Sequence, residues 1–103
     1  FVSVGSSPVT PPTFALTGSA PNPFTALTTI RYSLERTGPV RLRVFDVQGR
    51  LVRTLVEGIG EPGTHRAVWN GLDDGRRSVR QGVYFVRLES GGLISTRKLI
   101  RTR

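Results

Sequence analysis

The chain has 103 residues, among them 12 glycines and seven prolines, and it contains no cysteine. This length suits one domain, and a composition rich in turn residues favours many short strands over long helices. The lack of cysteine excludes disulfides, thiolate catalysis and cysteine metal sites. No apolar run approaches the length of a membrane span, so the sequence predicts no transmembrane segment.

The net charge is +8, from 15 Lys and Arg against seven Asp and Glu. Such a charge suits nucleic acid, anionic lipid or acidic glycans as a partner. Because the arginines are spread along the chain, solvated strand faces explain the same charge without any partner.

Residues 1–13, "FVSVGSSPVTPPT", consist mainly of Ser, Thr, Pro and Val. Such a segment cannot build a core and is typical of an extended linker. The composition changes at Phe14, so we predict one domain over residues 14–103. A short first strand is expected around Phe14–Leu16.

The next two strands are predicted from alternation of apolar and polar residues with a period of two. In "TTIRYSL" the inward positions are Ile30, Tyr32 and Leu34. In "VRLRVFDV" they are Val40, Leu42 and Val44, and Arg41 and Arg43 point outward.

The rest of the chain alternates strands with turn signals. "QGR" is predicted as a tight turn in which Gly49 takes a positive φ, followed by the strand "LVRTLVE". "GIGEPG" at 58–63 is predicted as a loop and "HRAVWN" as a strand. A polar connection covers 71–82, and "SGG" joins two last strands. About seven strands at spacings of 8–12 residues predict an all-β antiparallel sandwich.

Catalytic or metal-binding combinations are weak in this sequence. His65 is the single histidine and is expected to face solvent, so no Ser-His-Asp arrangement can be built. Asp73 and Asp74, together with Asn70, could hold a hard cation such as calcium, but their spacing is not that of a calcium loop. A polar turn is the preferred interpretation, and we predict no catalytic residue, no cofactor and no metal.

Arginines and aromatic residues lie along the same predicted strands, an arrangement that could form a nucleic-acid surface. Phe45 or Phe85 could serve as stacking platforms. The arginines that could line the sheet faces are Arg31, Arg41, Arg43, Arg53, Arg87 and Arg97. Neither an RNA-recognition motif nor an oligonucleotide-binding barrel signature accompanies them, so we predict no nucleic-acid partner.

An ordered set of motifs resembles one family. It comprises "PNPF", "TTIRYSL", "VRLRVFDVQGRLVRTLV", "WNG", "GVYFVRLESGG" and a terminal "TRKLI". Together they resemble the C-terminal sorting domain of type IX secretion substrates, which is similar to the Ig-like domain of flagellar hook-capping proteins. The resemblance extends from Phe14 to Arg103. One departure is "WNG", since Asn70 stands where the family usually has Asp.

The resemblance implies an Ig-like sandwich and roles for its motif residues. Asn22 is expected to cap a turn through its side chain, Phe24 to plug one end of the sandwich, and Tyr84 to point inward. The motif positions with a structural role are Pro21, Asn22, Pro23, Phe24, Asp46, Gly49, Trp69, Gly71, Gly82 and Tyr84. Those that match the export determinant are Lys98, Leu99, Ile100 and Arg101.

The function implied by the resemblance is non-catalytic. The domain would follow a cargo domain in the same chain and be recognised by an outer-membrane translocon. A sortase-like peptidase would then cleave within residues 1–13 or up to about Ala20. The protein would cross the periplasm and reach the cell surface or medium.

Two further expectations concern the last strand, Leu93–Ile100. It is expected to be an edge strand that can pair with a partner. Deleting Lys98–Arg103 is expected to abolish export while the sandwich stays mostly folded. The alternative function is a structural or adhesive Ig-like module, hook-cap-like or accessory to an extracellular hydrolase, that stays attached to the mature protein.

Overall fold

The computed structural model describes residues 13–102, which form seven strands and no helix. In chain order the strands are β1 (Ala15–Ala20), β2 (Thr28–Leu34), β3 (Gly38–Asp46), β4 (Leu51–Gly60), β5 (Gly63–Trp69), β6 (Gly82–Ser90) and β7 (Leu93–Arg101). The predicted linker, residues 1–13, lies outside the described residues except for Thr13. The domain boundary therefore stays a prediction.

Two antiparallel sheets pack face to face as an Ig-like sandwich. One sheet has the order β1-β2-β5 and the other β4-β3-β6-β7. In a constant-type immunoglobulin sandwich the fourth strand joins the first sheet, whereas here β4 pairs with β3 in the second sheet. The predicted all-β sandwich of about seven strands is confirmed.

The core lies between the inner faces of the two sheets, and the predicted inward positions of β2 and β3 are confirmed. Alternate residues are buried because successive side chains of a strand point to opposite faces. The buried apolar residues are Leu16, Phe24, Ile30, Tyr32, Leu34, Val40, Leu42, Val44, Trp69, Tyr84, Val86, Leu88 and Leu99.

Two predicted boundaries were wrong. The first strand covers Ala15–Ala20 rather than Phe14–Leu16, because its pairing with β2 continues past a register shift between Leu16 and Gly18. The predicted "GIGEPG" loop is mostly strand, since Gly60 pairs with Gly38 in β3 and Gly63 pairs with Leu34 in β2. Only residues 61 and 62 connect the two sheets at this corner.

The predicted tight turns are confirmed. Gly49 has a φ of 80° in the turn between β3 and β4. Gly91 and Gly92, with φ values of 57° and 83°, join β6 to β7 directly after the Ser90–Leu93 pair. Two positive φ values in a two-residue loop are typical of a type I′ turn, which matches the twist of the flanking strands.

His65 differs from its predicted position. It lies on the same face of β5 as Ala67 and Trp69, is half-buried, and stacks on Tyr32 with ring centroids 5.2 Å apart. Its Nε2 lies 2.7 Å from the Glu61 carbonyl oxygen. The expectation of a solvent-facing side chain failed because strand periodicity puts residue 65 in phase with the buried Trp69.

Candidate functional site

The "PNPF" motif lies beside the last strand and covers the C-terminal half of its outer edge. Asn22 Nδ2 donates to the Lys98 carbonyl oxygen at 2.9 Å, and the Ile100 N–H donates to Asn22 Oδ1, also at 2.9 Å. One side-chain amide thus makes the pair of contacts that a neighbouring strand would make. The prediction that Asn22 caps a turn was wrong, because its partners lie more than 70 residues away in the chain.

Phe24 continues this edge with its backbone and fills the core with its ring. Its N–H donates to the Ile100 carbonyl at 2.9 Å, and its own carbonyl accepts from the Thr102 N–H at 2.8 Å. The ring is buried and lies 5.4 Å from Trp69. This burial supports the predicted plugging role of Phe24. We call the contacts of Asn22 and Phe24 with β7 the terminal-strand clamp.

Pro21 and Pro23 flank Asn22, and both of their preceding peptide bonds are cis. The Pro21 carbonyl accepts a 2.7 Å hydrogen bond from the hydroxyl of Thr28, which is fully buried. This bond satisfies a buried hydroxyl that would otherwise destabilise the fold. The motif is therefore tied to β2 as well as to β7.

Arg101 anchors the end of β7 to the loop between β5 and β6. Its Nη1 lies 2.6 Å from Val79 O, 3.0 Å from Ser78 Oγ and 3.1 Å from Gly71 O, and its Nε lies 3.3 Å from Thr25 O. These acceptors are neutral, so the guanidinium acts as a multiple hydrogen-bond donor. Arginine suits this role because its donors lie in one rigid plane.

The "WNG" motif shapes the same loop. Trp69 is fully buried and its Nε1 donates to Leu72 O at 2.9 Å. Gly71 has a φ of 75°, and a Cβ on it would lie 2.8 Å from Arg101 Cζ. Asn70 Oδ1 accepts the Leu72 N–H at 3.2 Å, a contact that the family's usual Asp could also make.

Tyr84 lies where β6 enters the sandwich, two residues after Gly82, whose φ is 148°. The ring is 5.3 Å from Trp69, and the hydroxyl donates to Arg80 O at 2.7 Å. This is a tyrosine corner, a device of Ig-like sandwiches that bonds the sixth strand to the backbone just before it. Burial raises the pKa of Tyr84, although the nearby Arg101 charge acts in the opposite direction.

Asp46 holds the "DVQGR" turn between β3 and β4. Its Oδ1 accepts the N–H groups of Gln48 and Arg50, both at 2.9 Å, and its Oδ2 accepts from Arg50 Nε at 2.9 Å. These donors, the Arg50 N–H above all, lower the pKa of Asp46 below its usual value. The geometry supports the predicted structural role of Asp46.

The four predicted recognition residues have different environments. Leu99 is fully buried, while Ile100 and Arg101 are half-buried and bound within the domain. Lys98 exposes its side chain on the outer face of the sheet, where it lies opposite Phe85 of β6. Deletion of residues 98–103 removes a core leucine and the Arg101 anchor. Contrary to the expectation from the sequence, we therefore do not expect the sandwich to stay mostly folded after this deletion.

The arginines considered for nucleic acid do not form one surface. Arg43, Arg87 and Arg41 surround Glu89 at 2.7, 3.2 and 3.6 Å. Arg43 and Arg87 also cover the Phe45 ring, 5.3 and 4.4 Å from its centroid. The remaining ones are divided between the other sheet and the edges, namely Arg31, Arg53 and Arg97. Phe45 is therefore not open for base stacking.

The acidic loop has the contacts of a polar turn. Asp73 Oδ1 accepts the Arg77 N–H at 2.9 Å, and Asp74 Oδ1 accepts the Thr54 N–H at 3.1 Å. Asp74 N–H also donates to Val52 O at 2.9 Å, so this loop covers part of the β4 edge. Between residues 13 and 102, no cluster of three His, Cys, Asp or Glu side chains is placed to hold a metal ion. The described part of the chain likewise has no helix of the length and hydropathy of a membrane span.

Comparison with known proteins agrees with this architecture. The structure of dimeric latent PorU from Porphyromonas gingivalis matches 82% of this chain with a TM-score of 0.63 at 19% identity. The match covers 9% of the PorU chain, and at this identity it shows the fold alone. A search of curated proteins gave no match.

A family model described as "Secretion system C-terminal sorting domain" matches residues 20–102. The matched segment includes the terminal-strand clamp and the loop that Arg101 anchors. The family match implies a protein that is exported to the cell surface or the extracellular space. This chain therefore belongs to the type IX secretion system C-terminal sorting domains.

Proposed function

We propose that this domain is a non-catalytic signal that an outer-membrane translocon recognises in its folded form. A cargo domain precedes it in the same chain. The cargo crosses the periplasm, passes the outer membrane, and is released or attached at the surface after a sortase-like peptidase removes the sorting domain. Family membership supports the export role, and the terminal-strand clamp supports recognition of a folded shape.

The observation that carries this proposal is the double hydrogen bond between Asn22 and the backbone at Lys98 and Ile100. The C-terminal residues are thereby held in place by a motif at the start of the domain. A signal read as a flexible tail would need no such clamp. The translocon would therefore meet a preformed edge and the exposed Lys98 side chain, and binding to a preformed surface avoids the cost of ordering a tail.

The fold narrows the proposed cleavage segment. Residues 15–20 form β1, which is hydrogen-bonded to β2 along Ala15–Ala20. A peptidase needs extended and accessible backbone, which paired strand residues do not offer. We therefore place the cut before Ala15 rather than as far as Ala20.

The proposal is tested with the chain fused behind a signal peptide and a fluorescent cargo, in a host with type IX secretion. Intact masses are measured for cargo from medium, cell surface and periplasm. Export of cargo that ends before Ala15 is expected. Cargo outside with the whole domain attached would instead favour a retained structural or adhesive module. Full-length cargo left in the periplasm with a folded domain would overturn the sorting role.

Recognition of the folded form is tested with Asn22→Leu, which keeps a similar side-chain volume and removes both amide contacts. Gln48→Leu is the matched control, since Gln48 is exposed in a turn and its side-chain amide makes no hydrogen bond within residues 13–102, while its main-chain N–H, which the substitution keeps, donates to Asp46. Export is expected to fall for Asn22→Leu and to persist for Gln48→Leu. Equal export of the two variants would show that the clamp plays no part in recognition.

A further inference from the structure

The clamp covers only half of the outer edge of β7. Lys98 O, both main-chain groups of Ile100, and Thr102 N–H face Asn22 and Phe24. The β6–β7 register runs without a shift from Ser90–Leu93 to Gly82–Arg101. Along an antiparallel strand, the main-chain groups of successive residues point alternately to the two sides of the strand. The N–H and C=O groups of Ile94 and Thr96 therefore point to the same outer edge as those of Ile100.

These four main-chain groups are open. Within residues 13–102, no hydrogen bond joins the N–H or C=O of Ile94 or Thr96 to another residue on that side. Strand edges with unpaired groups are templates for pairing with another chain, and proteins usually cover them. On the other edge of this sheet, Asp74 covers β4 at Val52 and Thr54 only.

The strand that faces this edge is β1, which pairs only with β2. The two strands touch without forming a ladder, and Arg97 Nε bridges them by donating to Leu16 O at 2.7 Å. A cleft of about 610 Å³ lies between them, and small polar residues form much of its lining, namely Gly18, Ser19, Ser95 and Thr96. We call this cleft the β1–β7 slot.

We propose that the β1–β7 slot binds an extended strand with acidic side chains, supplied by a protein of the secretion machinery. β7 carries Arg97, Lys98 and Arg101 but no carboxylate, and within the described chain neither Arg97 nor Lys98 forms an ion pair. β1 carries no charge. Main-chain bonds to Ile94 and Thr96 would supply affinity, and Arg97 and Lys98 would select acidic side chains.

The length of the open edge limits the partner strand. It spans Leu93–Arg97, about five residues, because the clamp begins at Lys98. Leu93 and Ile94 are 46% and 61% exposed at the start of this stretch, which suits apolar residues beside the acidic ones. The inference rests on the proposed sorting function and names the kind of contact that the machinery would make.

The binding step is tested with the purified full chain and a nine-residue synthetic peptide in which valine alternates with glutamate. The same peptide with lysine in place of glutamate is the control. Saturable binding of the acidic peptide is expected, with slowed hydrogen exchange at the Ile94 and Thr96 amides. Absence of saturable binding would overturn the proposal. So would protection of both amides before peptide is added, because the slot would then be filled by the chain itself or by a second copy.

Two variants and one control locate the binding. Thr96→Pro removes an outward N–H without removing a ladder bond to β6, and Lys98→Glu reverses the charge while keeping the backbone. Each is expected to weaken binding at least tenfold. Arg66→Glu makes the same charge change on the exposed face of the other sheet and should bind as the wild type does. Equal weakening by Arg66→Glu would show that the overall charge of +8 attracts the peptide, and would overturn the slot as its binding site.

The export assay separates failure of this inference from failure of the proposed function. Wild-type cargo that stays in the periplasm would contradict the sorting role itself. Export of the wild type together with undiminished export of Thr96→Pro and Lys98→Glu would leave the sorting role standing and overturn the slot as its contact. Loss of export in both variants, with Arg66→Glu exported, is the expected result.

Discussion

Gly71 lies so close to Arg101 that a side chain at position 71 would displace the Arg101 guanidinium. Gly71 has a φ of 75°, and a Cβ placed on it would lie 2.8 Å from Cζ of Arg101. The Gly71 carbonyl also accepts a 3.1 Å hydrogen bond from Arg101 Nη1. The loop after β5 and the end of β7 are thus one unit, although 30 positions separate them in the sequence.

Gly71→Ala should therefore destabilise the domain for two reasons. A non-glycine residue in this backbone region costs about 1–3 kcal/mol, and the new methyl group displaces the Arg101 guanidinium in addition. Urea unfolding would measure the loss. Gly92→Ala is the matched control, because Gly92 has a φ of 83° but open space around the Cβ position. An equal loss in both variants would mean that the Arg101 contact contributes nothing.

Leu99→Ala should show that the terminal strand belongs to the core. Leu99 is fully buried, and truncation of such a leucine costs about 2–5 kcal/mol of unfolding free energy. Lys98→Ala, at the neighbouring exposed position, should change stability by no more than about 0.5 kcal/mol. Thermal or urea unfolding of the two variants checks this contrast. A Leu99→Ala protein as stable as the wild type would show that β7 does not contribute to the fold.

Strands such as β2 and β3 could be predicted from the sequence because inward apolar and outward polar residues alternate along them. Ile30, Tyr32 and Leu42 are each flanked by polar residues with a period of two, so local pattern alone gives the face that they bury. The inward position of Tyr84 came from the family resemblance, because its neighbours Val83 and Phe85 are both apolar and give no alternation. Phe24 could be placed at a sandwich end because the "PNPF" motif, which carries the family resemblance, precedes β2.

The contacts of the clamp could not be predicted, because they depend on residues far apart in the chain. Nothing beside Asn22 indicates that its amide meets Ile100, 78 positions later. Arg101 gave no local signal for its four oxygen partners. The one weak signal for the tyrosine corner was the position of Tyr84 near the start of a late strand in a predicted Ig-like sandwich.

Asp46→Asn should lower stability in a way that depends on pH. The pKa of Asp46 is lower in the fold than its usual value, mainly because the Arg50 N–H donates to it. The folded state then favours the charged carboxylate, so its contribution is present above the unfolded pKa of about 3.9 and is lost as pH falls through the folded pKa. The gap in urea midpoint between wild type and variant should be wide at pH 7 and should narrow below about pH 4. Glu35→Gln is the control, because the Glu35 carboxylate accepts no backbone N–H among the described residues. A midpoint gap for Asp46→Asn that does not change with pH would contradict the role assigned to the Asp46 carboxylate.

Tyr84→Phe should weaken the domain near neutral pH and make it less sensitive to alkali. Loss of the hydroxyl bond to Arg80 O should cost about 0.5–1.5 kcal/mol.

Burial raises the pKa of Tyr84, so the folded state favours the neutral phenol. The stability from this group is therefore full below the unfolded pKa of about 10 and is lost as pH rises through the folded pKa. Unfolding midpoints between pH 8 and 11 should fall less steeply for the variant than for the wild type. Burial also raises the pKa of Tyr32, so Tyr32→Phe should likewise reduce the alkaline slope, without removing the corner bond. Identical alkaline profiles for wild type and Tyr84→Phe would show that the phenol ionises as freely in the fold as in the unfolded chain.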